Sequence, residues 1–342
     1  MKRRLTIAII LPVYNTSLYL EECLNSILQQ TYANFVLFAI NDGSTDKSGL
    51  ILNHYQSNDK RVRVFNKVNE GVSRTRNFAL ELVEKENTFD VVCFVDSDDR
   101  INKNYLQVLA NIFSDNTIDC SLVGLQTFDK KGYNACNQQN HSSFLLNQRE
   151  GYNFCFALDG YSKKEHNAIS QSLCNMAFRA SKIYNIRFDE NLRTAEDQDY
   201  ILKALSKSEN IFVNNNIFYF YRMRKSSLTH IDKIRLEDID TYLNWLEKEP
   251  HQIKEFHNVI EHMAFQNFWR ATRSAALSDK LISIWPILLK KLALMKQSFK
   301  GHELKKQRKR ILFFNLGPYV TQLYIKLATR QNKINQDSLL YD

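Results

Sequence analysis

Residues 1–125 predict an α/β domain built on a mostly parallel sheet with helices on both faces, and three observations carry that prediction. Short apolar runs recur at 6–11, 35–40, 62–65, 91–95 and 120–125. Stretches with helical apolar spacing lie between them, and such alternation signals parallel strands covered on both sides. Two acidic turns follow strand candidates directly: Asn41-Asp42-Gly43-Ser44-Thr45-Asp46 and Asp96-Ser97-Asp98-Asp99. Carboxylates at the carboxyl ends of central parallel strands point into the crevice where such sheets bind ligands.

The first strand is read from the apolar run after Met1-Lys2-Arg3-Arg4. That run superficially resembles a signal peptide, but it is short and no small-residue cleavage site follows. Pro12 is expected to end the strand, because proline cannot continue a central ladder. Leu20, Leu24, Ile27 and Leu28 then share one helix face, with Thr16 or Ser17 as cap. A second helix is expected from Ser73 to Val83. Residues 126–170, rich in Asn, Gln, Ser, Lys and Tyr, read as a loop-rich insertion. After Thr194, the spacing of Tyr200, Ile201, Ala204 and Leu205 predicts a helix, and 211–222 predicts one or two strands. From about residue 232 the pattern is helical and increasingly basic, which divides the chain into 1–230, with halves 1–125 and 126–230, and a helical region 231–342.

At 342 residues the chain can bury a core of ordinary size without disulfide or metal staples. Its six cysteines form no CxxC pair, so free thiols in a reducing compartment are expected. No uninterrupted apolar stretch is long enough for a spanning helix. The net charge of +9 is concentrated near the C-terminus: residues 281–330 hold eleven Lys or Arg and one acid, Glu303. An anionic partner is expected there, either a membrane surface or a phosphorylated acceptor. A solvated helical face explains the charge nearly as well. Nucleic acid is not expected, since no nucleic-acid module accompanies the charge.

Asp96, Asp98 and Asp99 place three carboxylates within four residues, a repulsion that a cation or strong solvation must relieve. Mg²⁺ and Mn²⁺ both suit such oxygen ligands. The alternative is a solvated acidic turn; the EF-hand pattern is absent. Asp42 offers an acceptor for a base N–H or a ribose hydroxyl, although turn chemistry explains its segment equally well. Tyr14, after Pro12-Val13, offers a flat face to a base, or simply belongs to a strand-to-helix turn. Arg74 and Arg76 open a helix; they are either solvated surface or, since cations there oppose the dipole, hold an anion such as a diphosphate between them. Glu196 and Asp197 also open a helix; they complement its dipole, or Asp197 serves as a general base. The segment 219–227, with Arg222 and Ser226, combines a strand end with basic and hydroxyl groups suited to closing over phosphates. His230 offers a metal ligand, although a lone His is more often structural.

Taken in order, PVYN (12–15), NDGSTD (41–46), NEGVSRTRN (69–77), DSDD (96–99), ED (196–197) and YRMRKSS (221–227) resemble the family-2 glycosyltransferases of the GT-A fold. Each motif is weak; the ordered set, spanning roughly residues 5–230, is specific. The resemblance implies a nucleotide-binding half at 1–125, an acceptor half at 126–230 and a UDP-sugar donor. It implies Pro12, Tyr14 and Asp42 at the base, Asp96 near the ribose and Asp98 on Mn²⁺ or Mg²⁺. It places Arg76, Arg222 and Ser226 at the phosphates and Asp197, beside Glu196, as the base. The QxxRW motif of processive synthases is missing, which favours limited sugar addition over polymerisation. Phe78 stands where the family often has a small residue.

The implied activity is inverting transfer of a hexose or N-acetylhexosamine to a glycan or lipid-linked acceptor in cell-surface polysaccharide synthesis. The implied location is the cytoplasm, peripherally at the inner face of a bacterial membrane. Rival readings are a DxD-type phosphatase, which lacks its Gly-Thr here, a silent nucleotide-sugar-binding protein, and a nucleotidyltransferase, which lacks its Gly-rich loop.

Overall fold

The computed structural model describes residues 4–134, 141–156, 165–168, 172–192, 196–223, 239–240, 243–244, 254–299 and 303–338. Contacts divide the chain into two compact units, 1–225 and 226–342.

The first unit begins β1 (Ile7–Val13), α1 (Ser17–Leu28), β2 (Phe35–Asp42), α2 (Ser48–Asn58), β3 (Val62–Lys67), α3 (Val72–Glu86) and β4 (Val91–Phe94). It continues with β5 (Arg100–Ile101), α4 (Tyr105–Phe113), β6 (Cys120–Asp129), β7 (Gly132–Tyr133), β8 (Ser143–Asn147) and α5 (Gln148–Cys155). It closes with β9 (Met176–Arg179), α6 (Ala180–Ile183), α7 (Glu196–Leu205) and β10 (Asn210–Arg222). The strands form one mixed sheet ordered β3-β2-β1-β4-β9-β6-β10-β5, with β7 on β6 and β8 on β10. Pairing is parallel among β3, β2, β1 and β4, and again between β6 and β10; β9 joins the two groups antiparallel.

Strand alternation assigns the faces. Ile7, Ile9, Leu11 and Leu37 pack with Leu20, Leu24 and Ile27 of α1 and Leu106 and Leu109 of α4, all buried. On the other face Phe38 stacks with Phe65, and Phe65 meets Phe78 of α3 edge-on at 6.0 Å. Phe78 therefore fills the gap between α3 and the sheet. Each fully buried apolar side chain of this core, such as Leu20 or Phe38, contributes about 1.5–3 kcal/mol by leaving water.

Several expectations are corrected. Pro12 does not end β1; it pairs with Ile40 inside the strand. The amide of Val95 donates to the carbonyl of Ile10, so even-numbered residues of β1 face β4. Pairing with β4 stops at Ile10↔Phe94, so the N–H that proline lacks has no ladder partner to lose. The segment 126–170 is not simply loop: it contains the end of β6, β7, β8 and α5. Asn147 and Glu150 form a reciprocal capping box at the start of α5, a pattern readable in the sequence. Thr16 occupies the N-cap position of α1 without capping it; its hydroxyl bonds Ser97, and Asp46 accepts from the Ser17 amide instead.

The second unit is helical, with Lys254–Leu277, Leu281–Ser298, Glu303–Lys306, Arg308–Asn315 and Pro318–Ser338. Phe268, Leu288, Met295, Phe314 and Ile325 are buried in it, and Trp285 stacks on Phe314 at 4.1 Å. No described helix is long and apolar enough to cross a membrane. The five described cysteines are free and buried; Cys136 lies outside the described residues.

Candidate active site

The ends of β1, β2 and β4, the start of α3, the start of α7 and the end of β10 supply the residues singled out from the sequence. The loop after β1 is locked to the loop after β2. Asn15, at φ 51°, accepts at Oδ1 from the Thr45 amide at 2.8 Å, and its own amide donates to Ser44 Oγ. Asp46 accepts from Ser17 and Ser48 amides; burial opposes its charge, but these bonds outweigh that and hold its carboxyl down at about 2. Tyr14 is left exposed on this platform, and Pro12 is half-buried beneath it. Gly43, at φ 69°, passes so close to Asn69 that a Cβ would lie 2.7 Å from its amide nitrogen.

Asp42 ends β2, buried. It pairs with Lys67 Nζ at 2.7 Å and accepts from the amides of Glu70 and Gly71, both at 3.0 Å. An ionised carboxylate offers about four acceptor positions, so about one is left for a ligand.

Arg76, buried on α3, is the centre of the acidic cluster. Nη1 donates to Asp197 at 2.6 Å and lies 3.6 Å from Glu196; Nη2 donates to Asp96 at 3.0 Å. Its guanidinium sits 5.3 Å from the Phe188 ring centre, and Nε is buried without a hydrogen-bond partner among the described residues. Burial opposes the charge, but Asp197, Asp96 and Glu196 outweigh it and raise the Arg76 pKa. One cation thus serves three carboxylates, and the rest of the repulsion shows in their protonation. Burial and then the charge of Asp197 push Glu196 up to about 7, against the pull of Arg76. Burial, with help from Asp197 and Asp98, pushes Asp96 up to about 6. Asp197 is held on its second oxygen by the Leu173 amide at 3.1 Å and Ser172 Oγ at 3.3 Å.

The DSDD turn is clamped from β10. Asp99 is buried, accepting from Tyr219 Oη at 2.9 Å and the Arg222 amide at 2.7 Å. Tyr219 Oη in turn accepts from the Asp96 amide at 3.1 Å. Arg222 Nε donates to the Asp98 carbonyl at 2.6 Å, and its guanidinium pairs with Glu22 of α1. Asp96 and Asp98 remain half-buried at the rim, whereas Asp99 faces inward. Among the described residues, Asp96, Asp99 and Cys174 bring ligand atoms within 4.8 Å of one another. Asp99 already holds two donors, and burial followed by its acidic neighbours keeps the Cys174 thiol well above its usual value. That leaves Asp96 and Asp98 as the carboxylates better suited to a hard cation.

The structure therefore gathers Arg76, Asp96, Glu196 and Asp197 into one cluster. It puts Arg222 against the backbone of the DSDD turn. Here Arg76 is held by carboxylates rather than presented alone to a phosphate. Ser226, His230 and Thr194 lie outside the described residues. Sequence reasoning missed Tyr219, Glu22 and Lys67, and gave Asp99 no separate role; a single Tyr in a β-rich run and a Lys at a strand end carry no local signal of function.

The profile of Glycosyl transferase family 2 matches residues 8–187. The chain belongs to glycosyltransferase family 2. The glycosyltransferase GlyA of Streptococcus pneumoniae is 32% identical over 241 residues, covering 66% of this chain and 32% of GlyA. The minor teichoic acid biosynthesis protein GgaB of Bacillus subtilis is 28% identical over 224 residues, covering 64% of this chain and 23% of GgaB. This family-2 chain thus spans about a third or less of the length of these relatives. The crystal structure of S. aureus TarS 1-349 in complex with UDP-GlcNAc superimposes with a TM-score of 0.71 at 20% identity, covering 96% of this chain and 92% of that one. The family-2 chain has the GT-A fold together with a helical C-terminal region.

Proposed function

We propose that this family-2 chain is an inverting, non-processive glycosyltransferase that moves a hexose or N-acetylhexosamine from a UDP-sugar to a glycan or lipid-linked acceptor in bacterial surface-polysaccharide synthesis. The observation that carries this is the carboxylate cluster at the carboxyl end of β4 and the start of α7, organised by the buried cation Arg76. The UDP-GlcNAc named with TarS supports a UDP-linked donor here. The cytoplasmic face of the membrane is the proposed location, since UDP-sugars and a lipid-linked acceptor meet there.

The donor's uracil and ribose are assigned to the platform of Tyr14, Pro12, Asp42 and Asp96. Asp96 and Asp98 are assigned to Mn²⁺ or Mg²⁺, whose charge would stabilise the leaving nucleoside diphosphate. Arg222 holds the DSDD turn in shape, and Ser226 is assigned to the phosphates. In the transfer, the acceptor hydroxyl oxygen bonds to the anomeric carbon as the bond from that carbon to the diphosphate oxygen breaks. Asp197 takes the hydroxyl proton, and UDP leaves carrying the bonding electron pair. Arg76 and the Leu173 amide fix the Asp197 carboxylate in one orientation, which limits the freedom lost in reaching the transition state.

One observation favours a second assignment of the base. Both Asp197 oxygens are engaged, whereas Glu196 is pushed up to about 7, a value suited to proton exchange near neutral pH. Asp197→Asn and Glu196→Gln separate the two. If Asp197 is the base, Asp197→Asn keeps donor affinity and loses turnover by at least about 100-fold, while Glu196→Gln keeps most of it. The reverse pattern moves the role to Glu196. Unaltered turnover in both removes the cluster from catalysis.

A further inference from the structure

The C-terminal unit carries an apolar stripe on its outside. Leu312, Leu316, Tyr319, Val320, Leu323 and Leu327 are exposed, Tyr319 to 71% and Leu323 to 59%. Tyr319, Val320, Leu323 and Leu327 follow helical spacing on one face of the helix Pro318–Ser338, and Leu316 lies just before it, at the end of the helix Arg308–Asn315. Thr321 and Ile325 are buried on the opposite face of the same helix. The stripe therefore is not a core surface turned outward by misregister; the helix has a core side and a second apolar side. Leu312 extends the stripe onto the helix Arg308–Asn315, where Arg308 and Lys309 precede it by one turn.

The charge next to this stripe is mostly positive; the one exposed acid beside it among the described residues, Asp279, pairs with Lys326 at 2.7 Å. Lys305, Lys306, Arg308 and Lys309 are exposed. Between 303 and 330 the chain has seven Lys or Arg (305, 306, 308, 309, 310, 326 and 330) and one acid. That acid, Glu303, is buried against His262 at 3.3 Å and offers nothing to a partner.

We propose that this stripe and its cationic edge dock on an anionic lipid bilayer, with the helix Pro318–Ser338 lying in the headgroup plane. The proposal deepens the reading above, in which the acceptor is reached at a membrane, but it stands on its own residues. An anionic bilayer satisfies both halves of the surface at once: headgroups take the cations, and the acyl boundary takes the leucines and the tyrosine. A second copy of the chain fits worse. A two-fold contact through the stripe would bring two cationic edges together, and the exposed acid beside it, Asp279, is already paired with Lys326 of the same chain. A soluble polyanion would use the cations and leave the leucines in water. No described helix can cross the bilayer, which matches a surface that lies on it.

The test uses the full chain and sedimentation with vesicles of phosphatidylcholine alone or mixed with phosphatidylglycerol. The wild type should pellet with the mixed vesicles, stay in solution with phosphatidylcholine alone, and be released by salt. Leu316→Ser/Leu323→Ser should lower partitioning at least about tenfold. Lys305→Gln/Lys306→Gln/Arg308→Gln/Lys309→Gln should lower it at least about 100-fold. UDP-sugar binding should be unchanged in both, which separates failure of docking from failure of the transferase reading.

A wild type that stays in solution with mixed vesicles overturns the proposal without recourse to any variant. So does a charge variant that loses binding while the leucine variant keeps it, which would mark a site for polyanions. A dimer in light scattering that the leucine variant alone dissolves, with no vesicle binding, would assign the stripe to a second copy.

Discussion

Arg76→Met tests whether one guanidinium holds the acidic cluster together. The substitution keeps the stem and removes the only cation within reach of Asp96, Asp197 and Glu196 among the described residues, at 3.0, 2.6 and 3.6 Å. Each contact has a gross attraction of about 4–6 kcal/mol at an effective dielectric constant of 20, and desolvation cancels most of the sum. Removing one partner from a buried ion network costs about 3–5 kcal/mol, because the remaining charges are stranded. That is the loss expected at pH 8.

The loss should depend on pH in a set direction. Glu196 and Asp96 already titrate at about 7 and about 6 in the fold, above their ordinary values of 4.5 and 3.8, and losing Arg76 raises them further. Groups with raised folded pKa values leave stability intact below their unfolded values and remove it as pH rises through the folded ones. At pH 5 both acids are protonated in the variant, so the loss should shrink to less than about 2 kcal/mol. Urea unfolding by far-UV circular dichroism at the two pH values measures this. All three tryptophans (245, 269 and 285) lie in the unit 226–342, so their fluorescence reports that unit and should barely change. A loss below about 1 kcal/mol at pH 8, or equal losses at pH 5 and 8, refutes the account of Arg76.

Two further substitutions address the clamp and the helix behind the site. Tyr219→Phe removes the hydroxyl that joins the Asp96 amide to Asp99; it should cost about 1–3 kcal/mol and weaken Mn²⁺ binding in a metal titration, and an unchanged metal affinity would show that the DSDD turn keeps its shape without the clamp. Asp199, buried on α7 beside Lys203, is pushed up to about 6 by burial, against the pull of Lys203. Relative to 3.8 this corresponds to about 3 kcal/mol of stability, present below the unfolded pKa and lost as pH rises through 6. Asp199→Asn should therefore stabilise the protein by about 1–3 kcal/mol at pH 8 and by little at pH 4, as read by urea midpoints; destabilisation at pH 8 would mean that the pair with Lys203 outweighs burial.

The parallel half of the fold was legible because β1, β2 and β4 are mostly apolar and α1 and α3 each have one apolar face, whereas β3, with Arg63, Asn66 and Lys67, and α2, whose buried side chains are Ser48 and Leu52, carry a weaker pattern. The acidic turns were legible for the same reason: they sit where such strands end. What local pattern did not show were the contacts that cross the chain. The cation for Asp197 comes from Arg76, 121 residues away, and the partner of Asp99 is Tyr219, 120 residues away. Nothing near either acid in sequence marks these partners. Pro12 misled because the rule against proline in ladders holds only where the neighbouring strand continues, and β4 ends first. The helix α5 was readable from Asn147 and Glu150, but the polar composition around it hid the box.

The central claim is most directly tested by isothermal titration of the full chain with a panel of UDP-sugars, first with Mn²⁺ and then with EDTA, beside Asp98→Ala. The account predicts that one UDP-hexose or UDP-N-acetylhexosamine binds with Mn²⁺, that EDTA weakens it at least about tenfold, and that Asp98→Ala behaves with Mn²⁺ as the wild type does with EDTA. Donor binding that ignores both EDTA and Asp98→Ala would contradict the metal assignment, and folded protein that binds no UDP-sugar would contradict the account as a whole.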